Sequence, residues 1–176
     1  MPSDILNDDW QSLALRKTSI HDNGPAYGTD APWVVDSTYD FEESKDSDDN
    51  SVTKIQASKV SIYGGLRMGG NSYYGLDVTN ANSPKFKFRV SSDQADFNKM
   101  GQSWSKPVLA NIRHNGKIKR VIVVGGGYDT CYEDPRFLLN TNYSNDANKS
   151  ATFKANCSNR ANAKGNAVYI IDAETG

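Results

Sequence analysis

Cysteine and histidine are almost missing from this 176-residue sequence, which holds two of each. Cys131 and Cys157 lie far from His21 and His114, with no C-x-x-C or His-x-x-x-His pattern, and this argues against a zinc site. Long hydrophobic runs are missing as well. The longest is Val121-Ile-Val-Val124, well short of the roughly 18–20 residues of a membrane span. The opening MPSDILNDDW is acidic and has no apolar h-region, so no signal peptide is read there. Neither charge sign dominates: 20 basic side chains stand against 21 acidic ones, for a net charge of −1. A nucleic-acid-binding face needs clustered Lys and Arg, so this balance argues against one. Apolar residues make up 37%, below the ~45–50% usual in globular domains. The polarity is concentrated in Asn, Asp, Ser and Gly, which favour turns over helix interiors and run against a large helical bundle.

What is present reads as short strands separated by turns. Residues 1–30 form an irregular, short-helical lead-in broken at Asn23-Gly24-Pro25. Ala31–Tyr39 is β-branched and aromatic and reads as a strand. Residues 40–51, acidic and apolar-poor, read as a solvated loop, and Val52–Tyr63 as a strand with a bulge. Asn71–Thr79 and Lys85–Val90 follow, the latter with Phe86, Phe88 and Val90 on one face. Trp104–Ile112 reads as a strand whose Pro107 points to an edge or a strand end. His114-Asn115-Gly116 makes a hairpin turn into Lys117–Gly127, the strongest strand. Residues 128–164 are a long Asn-rich insertion before a last strand, Asn166–Ala173.

An internal repeat organises these strands. Gly70–Val78 (GNSYYGLDV) matches Gly165–Ala173 (GNAVYIIDA) at an offset of 95, 165 − 70. Val60–Gly65 matches Val121–Gly126 at an offset of 61, 121 − 60. Each copy runs strand, Gly-Gly, loop, Gly-Asn, strand, Asp. The Asp is suited to accept backbone N–H groups of the following turn. Repeats of about four short strands are the blades of a β-propeller. The expected fold is all-β: a partial propeller of a little under two blades, the first at 31–91, the second at 92–176 and one strand short.

The stretch GGLRMGGNSYYGLDVT (Gly64–Thr79) resembles a signature of the PilC/PilY family of type IV pilus tip-associated proteins. The likeness continues in order through GQSWSKP (Gly101–Pro107), VIVVGGGYDTCYED (Val121–Asp134) and GNAVYIIDAETG (Gly165–Gly176), with WVVDSTYD (Trp33–Asp40) upstream. The resemblance implies blades shaped like those of quinoprotein dehydrogenases but without their chemistry. It implies a non-catalytic role in pilus biogenesis, twitching motility and surface adhesion. The implied partners are pilus components, a host or abiotic surface and the rest of the same propeller. The implied location is secreted, at the cell surface or pilus tip and associated with the outer membrane, with the periplasm in transit. The family's calcium loop lies downstream of the matched segment, so no cofactor is expected within this chain. Two alternatives stand beside this reading: a quinoprotein-like dehydrogenase fragment and a generic periplasmic propeller scaffold.

Candidate sites are few. Asp46, Asp48 and Asn50 alternate oxygens as a calcium loop does, but the run lacks the Gly at position six and the Glu at position twelve, so a solvated loop is the reading. Gly125-Gly126-Gly127 has no following Lys-Ser/Thr, which removes a phosphate cradle. Asp77 and Asp172 occupy equivalent repeat positions and read as turn caps rather than catalytic acids. Trp104 reads as packing between blades. Cys131 and Cys157 are either two free thiols or a disulfide that closes the polar loop and implies an oxidising compartment. The insertion is the expected contact surface, with Tyr128, Tyr132, Phe137 and Tyr143 as its aromatic contact residues.

Overall fold

β-Branched and aromatic residues at every second position pull the chain into strands. The computed structural model, which describes residues 28–176, contains seven of them. The expected lead-in lies outside the described residues, apart from residues 28–30, which hold neither helix nor strand. β1 (Trp33–Lys45), β2 (Ser51–Gly65), β3 (Ser72–Asp77) and β4 (Lys85–Ser91) make an antiparallel meander in the order β1-β2-β3-β4. β5 (Val108–His114), β6 (Lys117–Gly126) and β7 (Gly165–Asp172) make a second, in the order β5-β6-β7. The regular structure of the described residues is therefore mostly strand, in antiparallel sheets of four and three.

Four local expectations change. Residues 40–51 are not a loop: β1 runs to Lys45 and β2 begins at Ser51, leaving Asp46–Asn50 as the turn. This ribbon projects from the sheet with both faces exposed. It therefore needs no buried apolar stripe, and cross-strand partners such as Phe41 with Ile55 and Glu42 with Lys54 hold it. The bulge in the second strand is present, with Ser58 unpaired between the Thr38–Lys59 and Tyr39–Ala57 pairs. Phe86 does not share a face with Phe88 and Val90. Lys87 is an extra residue between the Leu76–Phe86 and Gly75–Phe88 pairs, so Phe86 faces solvent while Lys87 turns inward. Trp104 is not in a strand, because β5 starts only after Pro107 and forms an edge of its sheet. Finally, Ser61 pairs with Asp77 and Val121 with Asp172, so the structural offset of the first repeat strand is 60, 121 − 61. Aligning the Gly-Gly pairs by sequence gives 61 because the second pair sits one residue later in its ladder: Gly65 opposes Tyr73, and Gly125 opposes the repeat-equivalent Val168.

The repeat itself is visible in the hydrogen bonds. Asp77 accepts from the Thr79 N–H at 2.9 Å, and Asp172 accepts from the Glu174 N–H at 2.9 Å. The Val78 N–H donates to the Val60 carbonyl at 2.8 Å, and the Ala173 N–H donates to the Arg120 carbonyl at 3.0 Å. Both aspartates close the turn after their strand, as expected. Both carboxyls are held below their usual range, Asp77 chiefly by the Thr79 hydroxyl and Asp172 chiefly by the Lys119 ammonium.

The two sheets share one core. Tyr63, Tyr73, Phe88 and Val90 of the first sheet pack against Ile122, Val124 and Ile171 of the second, with Met100 and Ala173 between them. Polar contacts fix the alignment. Arg120 donates to both oxygens of Asp36, at 2.7 and 3.0 Å. The Tyr63 hydroxyl donates to the Ala173 carbonyl at 3.0 Å. The Tyr73 hydroxyl donates to the Ser105 carbonyl at 3.2 Å, and burial pushes this phenol up to about 12. Glu174 ion-pairs with Lys59 at 2.5 Å and Lys87 at 3.2 Å.

Directly opposed residues share a face of a sheet, so the packing geometry can be read from the register. The first sheet buries the face carrying Tyr63, Tyr73 and Phe88. The repeat-equivalent face of the second sheet, with Val123, Val168 and Ile170, is not the one it buries here. Its other face, with Ile122, Tyr169 and Ile171, packs on the first sheet. Unlike faces therefore meet.

Candidate functional site

The insertion between β6 and β7 is built rather than structureless. Its ends are tied by one buried carboxylate. Asp129 accepts from the Cys131 N–H at 3.0 Å with one oxygen and from the Lys164 N–H at 2.9 Å with the other. The Gly165 N–H donates to the Lys99 carbonyl at 2.8 Å, and the ammonium groups of Lys99 and Lys164 bond the carbonyls of Ala161 and Asn98. A disulfide joins Cys131, in a 3-10 turn at Thr130–Glu133, to Cys157 at the end of helix α1 (Ala151–Cys157). The Ser150 hydroxyl caps α1 by accepting from the Phe153 N–H at 3.1 Å. The Asn and Asp residues that make the segment so polar largely bond to their own turns. Asn142, Asp146 and Asn159 each accept from the N–H two residues on, at 2.9 Å.

Within this frame the aromatic candidates separate. Phe137, Tyr143 and Phe153 form a small core, with ring centroids 5.3–6.2 Å apart, and Tyr132 meets Phe137 edge-on at 5.0 Å. Tyr143 is buried, and its hydroxyl accepts from the Leu138 N–H at 2.7 Å. Lys149 covers the cluster, with its ammonium 4.7 Å from the Phe153 ring and 5.5 Å from that of Tyr143. Its charge is met by Asp134, whose carboxyl the ammonium holds below the usual range. Only 5% of the Lys149 side chain is exposed. Phe137 and Tyr143 thus fold the insertion, and the apolar groups it turns outward are Tyr132, Leu138 and Leu139. Neither leucine is among the aromatic residues expected from the sequence to form the contact surface. An adjacent apolar pair in a segment of Asn, Ser and Asp was the available signal.

Tyr128 stands apart from that cluster. Its N–H donates to the Gln102 carbonyl at 3.0 Å, and the Gln102 N–H donates back at 2.8 Å. Its ring lies 6.0 Å from that of Trp104. The Gly101 N–H donates to Gly126 at 2.8 Å and the Ser103 N–H to Gly70 at 3.1 Å, so residues 101–103 join the glycine turns of both sheets. The approach is close enough that a Cβ on Gly127, whose φ is +93°, would collide with the Gln102 carbonyl.

Asp46 uses its carboxylate on its own hairpin. One oxygen accepts from the N–H groups of Asp48 and Asn50, both at 2.9 Å, and these bonds, that of Asn50 first, hold its carboxyl below the usual range. The structure does not bring Asp46, Asp48 and Asn50 together as an open ligand set. Among the described residues no three His, Cys, Asp or Glu side chains converge as a metal site. No helix among them is long and apolar enough to cross a membrane.

No family model matches the chain. Over 78 residues, 44% of its length, it is 33% identical to the type IV pilus biogenesis factor PilY1 of Pseudomonas aeruginosa, in strains PAO1 and PAK. That match spans only 6% of the relative's own length. The fold also aligns with the crystal structure of the P. aeruginosa PilY1 C-terminal domain, over 73% of this chain and 20% of that one, with a TM-score of 0.43 and 24% identity. With the family motifs in order and a PilY1 match found by sequence, the chain is similar to the PilC/PilY family over part of its length.

Proposed function

We propose that this chain is a non-catalytic segment of a type IV pilus tip-associated protein that acts in pilus biogenesis, twitching motility and surface adhesion. The observation that carries this reading is the sequence match to a type IV pilus biogenesis factor. The carboxylates first weighed as catalytic support it, since Asp77 and Asp172 are both engaged in turns. The proposed partners are pilus components, a host or abiotic surface and the rest of the same propeller. The disulfide supports a secreted, surface-exposed location reached through the periplasm. Calcium, if the parent protein uses it, belongs to a different segment of that protein.

We infer further that residues 31–91 and 92–176 are successive propeller blades. Contact between unlike faces supports this, because such packing propagates from one repeat to the next instead of ending in a symmetric pair. The insertion then projects from the second blade, with Tyr132, Leu138 and Leu139 as its contact surface.

Deletion of the parent gene should remove surface pili and twitching. Complementation with Tyr132→Ser, Leu138→Ser and Leu139→Ser together should restore protein level but not full adhesion. Normal piliation and twitching in the deletion strain would remove the pilus reading. Turnover of an alcohol or aldose substrate after addition of pyrroloquinoline quinone and calcium would replace it with the dehydrogenase reading.

A further inference from the structure

Where the Gly64–Gly70 turn, residues 101–104 and the base of the insertion meet, the surface sinks into an open depression of ≈ 440 Å³ lined by Met68, Trp104, Tyr128 and Glu133. Its walls are two aromatic rings and a thioether, and its polar edge is a carboxylate. We propose that this depression binds an alkylammonium group: a quaternary ammonium solute or the end of a lysine side chain.

Three observations lead to that ligand class. First, the lining has spare acceptors but hardly any donors. The Trp104 indole N–H is already given to the Gln102 side-chain oxygen at 3.0 Å, and Met68 has none. A sugar or a carboxylate ligand needs N–H or O–H donors; the lining itself offers the Tyr128 hydroxyl, and the Arg67 guanidinium against Trp104 is paired with Asp30. Second, the carboxylate is uncompensated: Glu133 has no ion-pair partner among the described residues. Its backbone ends the 3-10 turn that Asp129 caps and the disulfide anchors. Third, the ring already attracts a cation. The Arg67 guanidinium lies 4.4 Å from the Trp104 centroid, and Asp30, 3.5 Å away, offsets its charge. Arg67 takes up this position with a positive φ of 56°, a conformation that non-glycine residues seldom adopt and that gathers at functional sites. Aromatic faces beside a free carboxylate attract a desolvated cation on an apolar stem.

Choline and 3,3-dimethyl-1-butanol have the same shape and differ only in charge, so they separate this proposal from simple apolar burial. Titration of the full chain, followed by the Met68 methyl and Trp104 indole resonances, should give a saturable shift with choline and none with the neutral isostere. Glu133→Gln should weaken binding about fivefold or more, and Trp104→Leu should abolish it, with neither variant changing the thermal melt. Nα-acetyl-lysinamide is the second arm. Binding at comparable strength assigns a partner's lysine, and binding of choline alone assigns a free quaternary ammonium. Equal binding of choline and dimethylbutanol, or binding of none of the three, overturns the proposal. A second measurement serves the longer parent protein, where NMR is impractical: choline should protect Glu133 from carbodiimide labelling while leaving Glu42 and Glu43 unprotected. Labelling of Glu133 at an unchanged rate would count against the site.

Discussion

At the scale of single residues, the sheet-to-sheet contact depends on a few polar side chains whose charge states set its pH range. Asp36 is held below its ordinary value chiefly by the Arg120 guanidinium, which it meets through both oxygens. A carboxyl lowered in the folded state contributes stability above its unfolded value and loses it as pH falls through the folded one. Asp36→Asn should therefore cost about 1 kcal/mol near neutrality and less at acid pH, below the ordinary carboxylate value of about 4. Urea titrations at both pH values check this. Tyr73 gives the opposite limb. With its phenol pushed up to about 12, the fold should lose stability as pH rises from about 10, where the unfolded tyrosine ionises, towards 12. Tyr73→Phe should flatten that alkaline decline, which melts between pH 9 and 11 would show. The sequence carried the types of these residues but not their partners, because Asp36 and Arg120 are 84 positions apart.

At the scale of elements, the insertion is the part most open to test. Its small aromatic core is closed by a bridge spanning 26 positions, a span that in the chain-entropy model contributes about 3–4 kcal/mol. Changing Cys131 and Cys157 to Ala should expose residues between them to protease while the β-sheet circular dichroism persists. Simultaneous loss of both signals would show that the insertion and the sheets unfold as one unit. The strands with a buried face, β3, β6 and β7, were legible in sequence because alternation there has a physical cause. The outer part of β1, residues 40–45, was not legible, since nothing buries either face of the ribbon there. The Lys87 bulge was also hidden, because KFKFRV alternates regularly and only the partner strand reveals the extra residue. Within the insertion, the Asx turns and the capped helix were obscured by composition. A run of Asn and Ser reads the same whether its side chains face water or bond to their own backbone.

At the scale of the whole molecule, the unlike-face packing leaves apolar surface on the three-stranded sheet. Val108, Val168 and Ile170 are 62%, 72% and 60% exposed, and Val108 and Ile170 both oppose Val123. The first sheet leaves its own outward face, with Trp33, Leu66 and Tyr74 packed on it and Val35 and Phe86 exposed. These two surfaces are repeat-equivalent to the two that meet in the core, so one copy's second sheet is shaped to receive another copy's first sheet. The isolated chain should therefore form a concentration-dependent ladder of species in sedimentation velocity, with no preferred dimer. Ile170→Lys should collapse the ladder to monomer. A discrete dimer at every concentration would show that like faces meet instead. Such assembly has a direction: each copy has one donating and one accepting end. A copy carrying Ile170→Lys can still join a chain through its intact end, yet it offers the next copy nothing to bind. Mixed at a small fraction into unmodified protein, it should act as a chain stopper, shortening assemblies well beyond its share of the mixture.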